Sequence, residues 1–579
     1  MVLNQIEVKN INFFRQYWLE FIVFGFILAI LMIDLSPDYT YMCKAADSIG
    51  YAYSAKYLYP SFHTSPPLYL LISHLFLQIP LGTDAWRMGL VSVLSTMGTC
   101  VFIYLSIRKL LSESTKAKLY ALLGVLVYGT SAIVISQSIV IQTYALVCLF
   151  ASGSFYFAIS KRWNLMALMI GLGCVVHLLA FFVALIMILF FKDFRKRWQS
   201  WLIMGLCLVF YIYIPLTNRP PYMWMPDPSM VNSNMPHILV NIYSFVTDTL
   251  STIGFLIGKL SIWDIPKRIF DIIGLVGISI GVITIIPIVY YFRKTKFYTN
   301  PLFWLSFIPV FIFCIELDFN TYDYTMLAIP FLAIVTALGM NKLIEHHGKK
   351  MVRLAIVTVI VLVGFGGYNL NFFDIGRTLD KNMSASKLFY EEFDKIPDGA
   401  IFMPVYVANW EAIYQYNRDN NKHIYPVCYD VLPSQGYLNQ LTKDGVKFIK
   451  GTNKNLSVQA METARSIVTL NDNVWTTVWT DPSTFGSEVV NANHDISLVS
   501  IYDEELIKQT AENPQWHWKP YAPYDILSNS ICILQWNYVL LSNHNISRVL
   551  LYGVMGWALV YFVANFAKRK KKGNECKKS

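Results

Sequence analysis

The residues able to do chemistry gather between positions 38 and 224. Asp47 opens the run Asp47-Ser48-Ile49-Gly50-Tyr51-Ala52-Tyr53-Ser54-Ala55-Lys56-Tyr57-Leu58, and His63-Thr64-Ser65-Pro66-Pro67-Leu68-Tyr69 follows. On a helix, Asp47, Tyr51, Ser54, Ala55 and Leu58 recur at three- and four-residue steps and share a face. Asp47 then stands at the helix N-terminus, where its carboxylate can take a proton from a hydroxyl. Pro66 and Pro67 force an extended turn before the next apolar helix. Arg87 and Arg219 offer guanidinium forks that match a phosphate, and His63 can assist proton transfer. Each residue also has a plainer reading. Asp47 suits a helix N-cap, with Asp38 as the alternative base and Asp34 a further loop acid. Arg87 and Arg219 suit anchors at helix ends, Gln142 an interhelical hydrogen bond, and His177 a satisfied core histidine. Trp224 and Tyr222 suit anchors at a membrane interface. Asp318 and Asp323 form a solvated pair near a helix end.

The elements that must position these residues are membrane helices. The chain has 579 residues, 55% hydrophobic and only 15% charged, against roughly 25% charged in a soluble domain. Apolar stretches near 17–34, 86–108, 118–136, 139–159, 163–177, 178–191, 199–216, 269–292, 301–317, 323–340, 351–369 and 546–567 are candidate spans. Lys9 and Arg15, then Arg108 to Lys118, Lys161 and Arg162, Lys192 to Arg197, Arg293 to Lys296, Lys342 to Arg353 and the tail Lys568 to Lys572 share one side if both termini are cytoplasmic. That parity requires the apolar stretches 66–81 and 237–260 not to cross, as interfacial or re-entrant helices on the outer side. The first apolar run, Trp18 to Ile33, reads as a signal anchor because no small-residue cleavage site follows it. The region 371–544 has ordinary polarity. It mixes strand-like runs (Ala400 to Val407, Gly445 to Lys450, Ser466 to Leu470) with a helix-like one (Ser384 to Asp394). The expectation is a polytopic α-helical membrane protein of about 12 transmembrane helices, all but the last within 1–370, then an extracytoplasmic α/β or α+β domain over 371–544. A final helix and basic tail occupy 545–579.

Composition also excludes. The net charge of +10 sits in short loops, as the positive-inside rule requires, and does not indicate nucleic-acid binding. Nine cysteines without a CxxC pair indicate neither a zinc site nor a disulfide framework. Cys428 and Cys532 share the outer domain and can pair there. No GxGxxG, GxxxxGK[ST] or HExxH occurs in that domain.

The ordered motifs resemble the GT-C glycosyltransferases. Asp47 is followed at fixed steps by Tyr, Ala, Ala and a basic residue, then by Pro66-Pro67-Leu68-Tyr69. This pattern looks like the first outer loop of the protein O-mannosyltransferase and aminoarabinose-transferase group, and of an O-mannosyltransferase-like branch within it. Trp86, Arg87 and Ser92 open the next span. Ser136, Gln137, Tyr144 and Leu146, then Gly171, Gly173 and His177, then Tyr211, Tyr213, Pro215, Leu216, Pro220, Pro221, Trp224 and Pro228 continue the match in order. Departures occur where the branch has acids at the positions of Gln142 and Gly50. His63 stands three residues before the Pro pair, and Arg219 two residues late.

The resemblance implies a GT-C-like fold and an inverting transfer from a polyprenyl-phosphate sugar, plausibly mannose, to a hydroxyl of a protein Ser or Thr, a lipid or a glycan. Asp47 would be the base, Arg87 and Arg219 would hold the donor phosphate, and Tyr51, His63, Gln142, His177 and Trp224 would assist. It implies no metal and no cofactor, and a plasma-membrane location with the large domain outside. Rival readings are a polytopic transporter, against which no internal repeat stands out, and a membrane-anchored receptor or assembly protein.

Overall fold

The computed structural model describes residues 2–35, 48, 51–52, 54–56, 58, 66–177, 179–212, 276–277, 279–315, 325–348, 351–364, 366, 393–403, 413, 416–417, 420–427, 435–453, 456–481 and 486–492. The helices are α1 (Val2–Asp34), α2 (Pro67–Leu77), α3 (Asp84–Leu110), α4 (Ala117–Gly129), α5 (Ala132–Ser138), α6 (Tyr144–Ile159), α7 (Trp163–Val176), α8 (Leu179–Phe190) and α9 (Trp198–Cys207). They continue with α10 (Ile285–Lys294), α11 (Pro301–Ile315), α12 (Ile329–His347) and α13 (Met351–Gly364). Among the described residues three helical windows are long and apolar enough to cross a bilayer: Gln16–Ile33, Asp84–Leu110 and Thr325–His347.

α3 is the central element and packs against α1, α2, α4, α6 and α12. Thr83 caps it by accepting from the Trp86 amide at 3.1 Å, Asp84 lies in its first turn, and Arg108 and Lys109 lie in its last. Both ends thus complement the helix dipole. At the Arg108 end, Tyr104 donates to Glu20 at 2.7 Å and Lys118 pairs with Glu20 at 2.7 Å, joining α1, α3 and α4. Small residues set the closest approaches. A methyl on Gly339 of α12 would overlap the Pro287 carbonyl of α10.

The expected span over 118–136 is a bent pair, apolar and long enough to cross if taken as one broken span. α4 and α5 meet at 65°, because Thr130 folds back to the Leu126 carbonyl at 2.8 Å and Ser131, in extended conformation, bonds Ser279 at 2.7 Å. The next helix begins only at Tyr144, since residues 139–143 are not helical. α7 and α8 have 14 and 12 residues. At 1.5 Å per residue neither alone covers the ~30 Å hydrocarbon core. In the stretch read as 269–292, Gly281 takes φ +81° and interrupts the helix. α2, with 11 residues, is too short to cross, as the charge parity requires. The stretches 237–260 and 546–567 lie outside the described residues.

Beyond the helices, β1 (Ile401–Met403), β2 (Tyr425–Pro426), β3 (Val474–Asp481) and β4 (Gly486–Asn491) form a sheet of order β2-β1-β3-β4. β1 pairs in parallel with β2 and β3, while β3 and β4 are antiparallel. Helices α14 (Gln435–Lys443) and α15 (Leu456–Leu470) precede β3 in the chain. Ser466 to Leu470, expected as strand, ends α15. Ala460, Met461, Ala464 and Ile467 are buried at three- and four-residue steps, a helical period that overrides the local β-branched run. Gly445 lies in a turn at φ +86°, and Val446 to Lys450 joins no sheet among the described residues. Its backbone is held by side chains of α15 and Asn471, as at Ile449, whose amide bonds Ser466 at 2.8 Å.

Candidate functional site

The corner between α2 and α3 is built from the outer-loop motif. Helical backbone at Ser48, Tyr51, Ala52, Ser54, Ala55 and Lys56 buries Ser48, Ala52, Ser54 and Ala55. Pro66, at φ −80° and ψ 87°, turns the chain into α2, and Pro67 sits where its missing amide costs nothing. The Tyr51 ring meets the Tyr69 ring edge-on at 5.5 Å. His74 Nδ1 lies 2.8 Å from the Ala55 carbonyl. A carbonyl only accepts, so Nδ1 carries the proton.

Arg87 locks this corner. One terminal nitrogen donates to the carbonyls of Leu77 (2.9 Å) and Ile79 (2.7 Å), and Nε reaches the Thr83 carbonyl at 3.4 Å. The other pairs with Asp84, whose second oxygen lies 3.5 Å from Lys56. The guanidinium thus satisfies carbonyls left open by the end of α2 and ties the Lys56 helix to the start of α3.

Next to it is a buried polar turn, residues 139–143. Ser48, the residue bonded to Asp47, donates to the Ile141 carbonyl at 3.1 Å. Ser92 of α3 donates to the carbonyls of Val140 (2.9 Å) and Gln142 (3.1 Å). The Tyr69 hydroxyl lies beside Ser73 and Ser92 without closing a hydrogen bond. Thr96 and Ser138 oxygens are 2.6 Å apart. The Gln142 amide and the Thr143 hydroxyl, both buried, have no hydrogen-bond partner among the described residues. Tyr144 starts α6, and its ring lies 5.4 Å from that of His177. His177 is extended (φ −159°, ψ 143°) at the break between α7 and α8, not inside a continuous span. Its Nδ1 accepts from the Leu179 amide at 3.2 Å, which places the neutral ring's proton on Nε2. Tyr211 closes this side by donating to the Cys174 carbonyl at 2.8 Å.

The structure therefore gathers Tyr51, Arg87, Gln142 and His177 with the motif residues Ser92 and Tyr144 around one polar corner. Asp38, Asp47, His63, Arg219 and Trp224 lie outside the described residues. Sequence reasoning passed over Asp84, His74 and Thr143. Asp84 was readable as the first-turn acid three residues before Arg87; His74 and Thr143 carry no such signal. Among the described residues no three His, Cys, Asp or Glu side chains form a metal-sized group, and the open groups at the 139–143 turn are amide and hydroxyl.

Residues 50–200 match the family model described as Protein O-mannosyl-transferase TMEM260 N-terminal domain, which bears out the resemblance over that segment. No curated protein matches the chain. Among solved structures, ArnT from Cupriavidus metallidurans bound to undecaprenyl phosphate aligns at 11% identity and TM-score 0.47, over 79% of this chain and 93% of that one. The Archaeoglobus fulgidus oligosaccharyltransferase, tethered with an acceptor peptide, aligns at 12% identity and TM-score 0.45, over 81% and 70%. Likenesses this loose transfer no residue role.

Proposed function

We propose that the protein is a membrane glycosyltransferase that moves a sugar such as mannose from a polyprenyl-phosphate donor to a hydroxyl acceptor on the outer face of the plasma membrane. The observation that carries this reading is the convergence of Tyr51, Ser92, Gln142, Tyr144 and His177 on one buried polar corner within the segment that matches an O-mannosyltransferase model. Interhelical hydrogen bonds account for Ser92 and Thr96 but not for the Gln142 and Thr143 side chains, buried without partners among the described residues.

Asp47 is the base in this reading. It takes the acceptor's proton as the hydroxyl oxygen bonds to the anomeric carbon and the C–O bond to phosphate breaks, with inversion at that carbon. The lipid phosphate leaves with the bonding pair. Ser48, anchored to the Ile141 carbonyl, fixes the chain beside the base. Arg219 is the cation assigned to the phosphate. Arg87 has five N–H groups, of which four bond the corner's own acceptors, so its part is to hold α2 on α3. His63, His177 and Trp224 have accessory roles in this reading. No metal or cofactor takes part. The domain spanning 371–544 lies outside the membrane and orients the acceptor, with both termini cytoplasmic.

The deciding experiment compares Asp47→Asn with Asp38→Asn in purified full-length protein given a polyprenyl-phosphate sugar. Asp47→Asn should lower transfer at least ~100-fold, the scale of general-base catalysis, and Asp38→Asn should leave it near wild type. The reverse ranking would move the base to Asp38.

A further inference from the structure

With Arg87 committed to carbonyls and Asp84, the leaving phosphate needs donors besides Arg219, and the start of α6 supplies them. α6 is a 16-residue helix with no side-chain cap. Thr143 holds its N-cap position in helical conformation (φ −82°, ψ −21°), and its hydroxyl is buried without a partner. Ala145 and Leu146, at 0% and 4% exposure, have amides that donate to no acceptor among the described residues. A buried helix start without a cap leaves donors and the positive dipole end unanswered.

The second, independent observation is Gln142. Its side chain is 1% exposed, yet neither its carbonyl nor its NH2 group has a partner. Buried amides are almost always hydrogen-bonded, so an empty one marks a place for a polar guest. The local partners are already engaged. The Gln142 carbonyl takes Ser92, the Thr143 carbonyl takes the Val147 amide, and the Ile141 carbonyl takes Ser48. What remains open is the Ala145 and Leu146 N–H groups, the Thr143 hydroxyl and the whole Gln142 side-chain amide, whose NH2 end can turn to an anion, at a dipole's positive end with no acid among residues 139–146. That donor set fits an oxyanion. It lies beside Ser48, the residue that follows the candidate base in the chain.

We propose that the N-terminus of α6, with the Gln142 amide and the Thr143 hydroxyl, is the seat of the donor's phosphate group. The proposal rests on the glycosyltransferase reading for the identity of the anion, but the seat itself does not. The donors hold the charge that builds on the phosphate as the sugar–oxygen bond breaks, and they release it as polyprenyl phosphate.

The test uses full-length protein in phosphatidylcholine nanodiscs, with undecaprenyl phosphate, undecaprenol and inorganic phosphate as probes and binding read by native mass spectrometry and thermal shift. Undecaprenyl phosphate should bind at least about tenfold more tightly than undecaprenol. Gln142→Glu keeps the side chain's shape and places a carboxylate in the seat, so it should weaken undecaprenyl phosphate by about tenfold or more. Thr143→Val should weaken it about threefold or more, and Thr143→Ser should restore it. The unliganded melting temperature identifies any variant that fails to fold, in which case the Thr143 pair carries the test. Wild-type binding of undecaprenyl phosphate by folded Gln142→Glu and Thr143→Val would overturn the seat. Inorganic phosphate bound by wild type and lost in Gln142→Glu, with no binding of either lipid, would keep the seat and overturn the lipid-linked donor.

Discussion

Arg87 shows how one side chain can hold a corner. Its N–H groups reach three carbonyls and Asp84, so removing it strands partly buried acceptors and frees Asp84 from its closest cation. Arg87→Gln should destabilise the unliganded protein by ~2–4 kcal/mol, read as a melting temperature lowered by several degrees in detergent. Arg87→Lys should not restore it, because a point ammonium cannot span the same acceptors. An unchanged melting temperature would return Arg87 to a ligand role. In the sheet domain, Tyr416 is buried and donates to Asp394. Burial first, and then the neighbouring carboxylate, push its hydroxyl above the usual tyrosine range. A raised folded-state pKa means the stabilisation is complete below the unfolded value, ~10, and is lost as pH rises through the folded value. Protease resistance of this domain in the full chain should therefore fall above about pH 10, and Tyr416→Phe should remove that alkaline loss.

At the scale of elements, what the sequence made legible followed from periodicity and punctuation. The Pro pair before α2, the apolar run of α3, the short reach of α2 and the strand at Ile401 were readable because each rests on local rules. The bend at Thr130 and Ser131 was not, since it depends on Ser279, distant in sequence. Ser466 to Leu470 was misread as strand because β-branched residues favour strands locally, while burial at helical spacing decides the outcome. The polar corner was half legible. Tyr51, Gln142 and His177 stood out by type, but only the fold shows that the Gln142 carbonyl is taken and its side chain is not. Packing gives a prediction of its own. Gly339→Ala would drive a methyl into the Pro287 carbonyl, and backbone cannot yield as a side chain tip can. It should lower stability by ~1–3 kcal/mol, even though Ala is the better helix former, whereas Gly205→Ala, with open space around it, should be neutral or slightly stabilising.

For the whole molecule, the charge asymmetry and the polar corner require each other. α3 runs from Arg87 and Asp84 at one end to Arg108 and Lys109 at the other, so the polar corner and the basic cluster occupy opposite ends of one helix. If the basic end is cytoplasmic, the corner opens to the outer leaflet. A cysteine placed at exposed Lys443 should then react with an impermeant maleimide in intact cells, and one at exposed Lys109 only after permeabilisation. The central claim, sugar transfer from a lipid phosphate, meets its most direct test in purified wild-type protein given radiolabelled polyprenyl-phosphate mannose and a hydroxyl acceptor peptide. The expected result is label on the acceptor with inverted anomeric configuration, polyprenyl phosphate released in equal amount, and both lost in Asp47→Asn. A wild-type protein that transfers from no polyprenyl-phosphate sugar to any protein, lipid or glycan acceptor would contradict it.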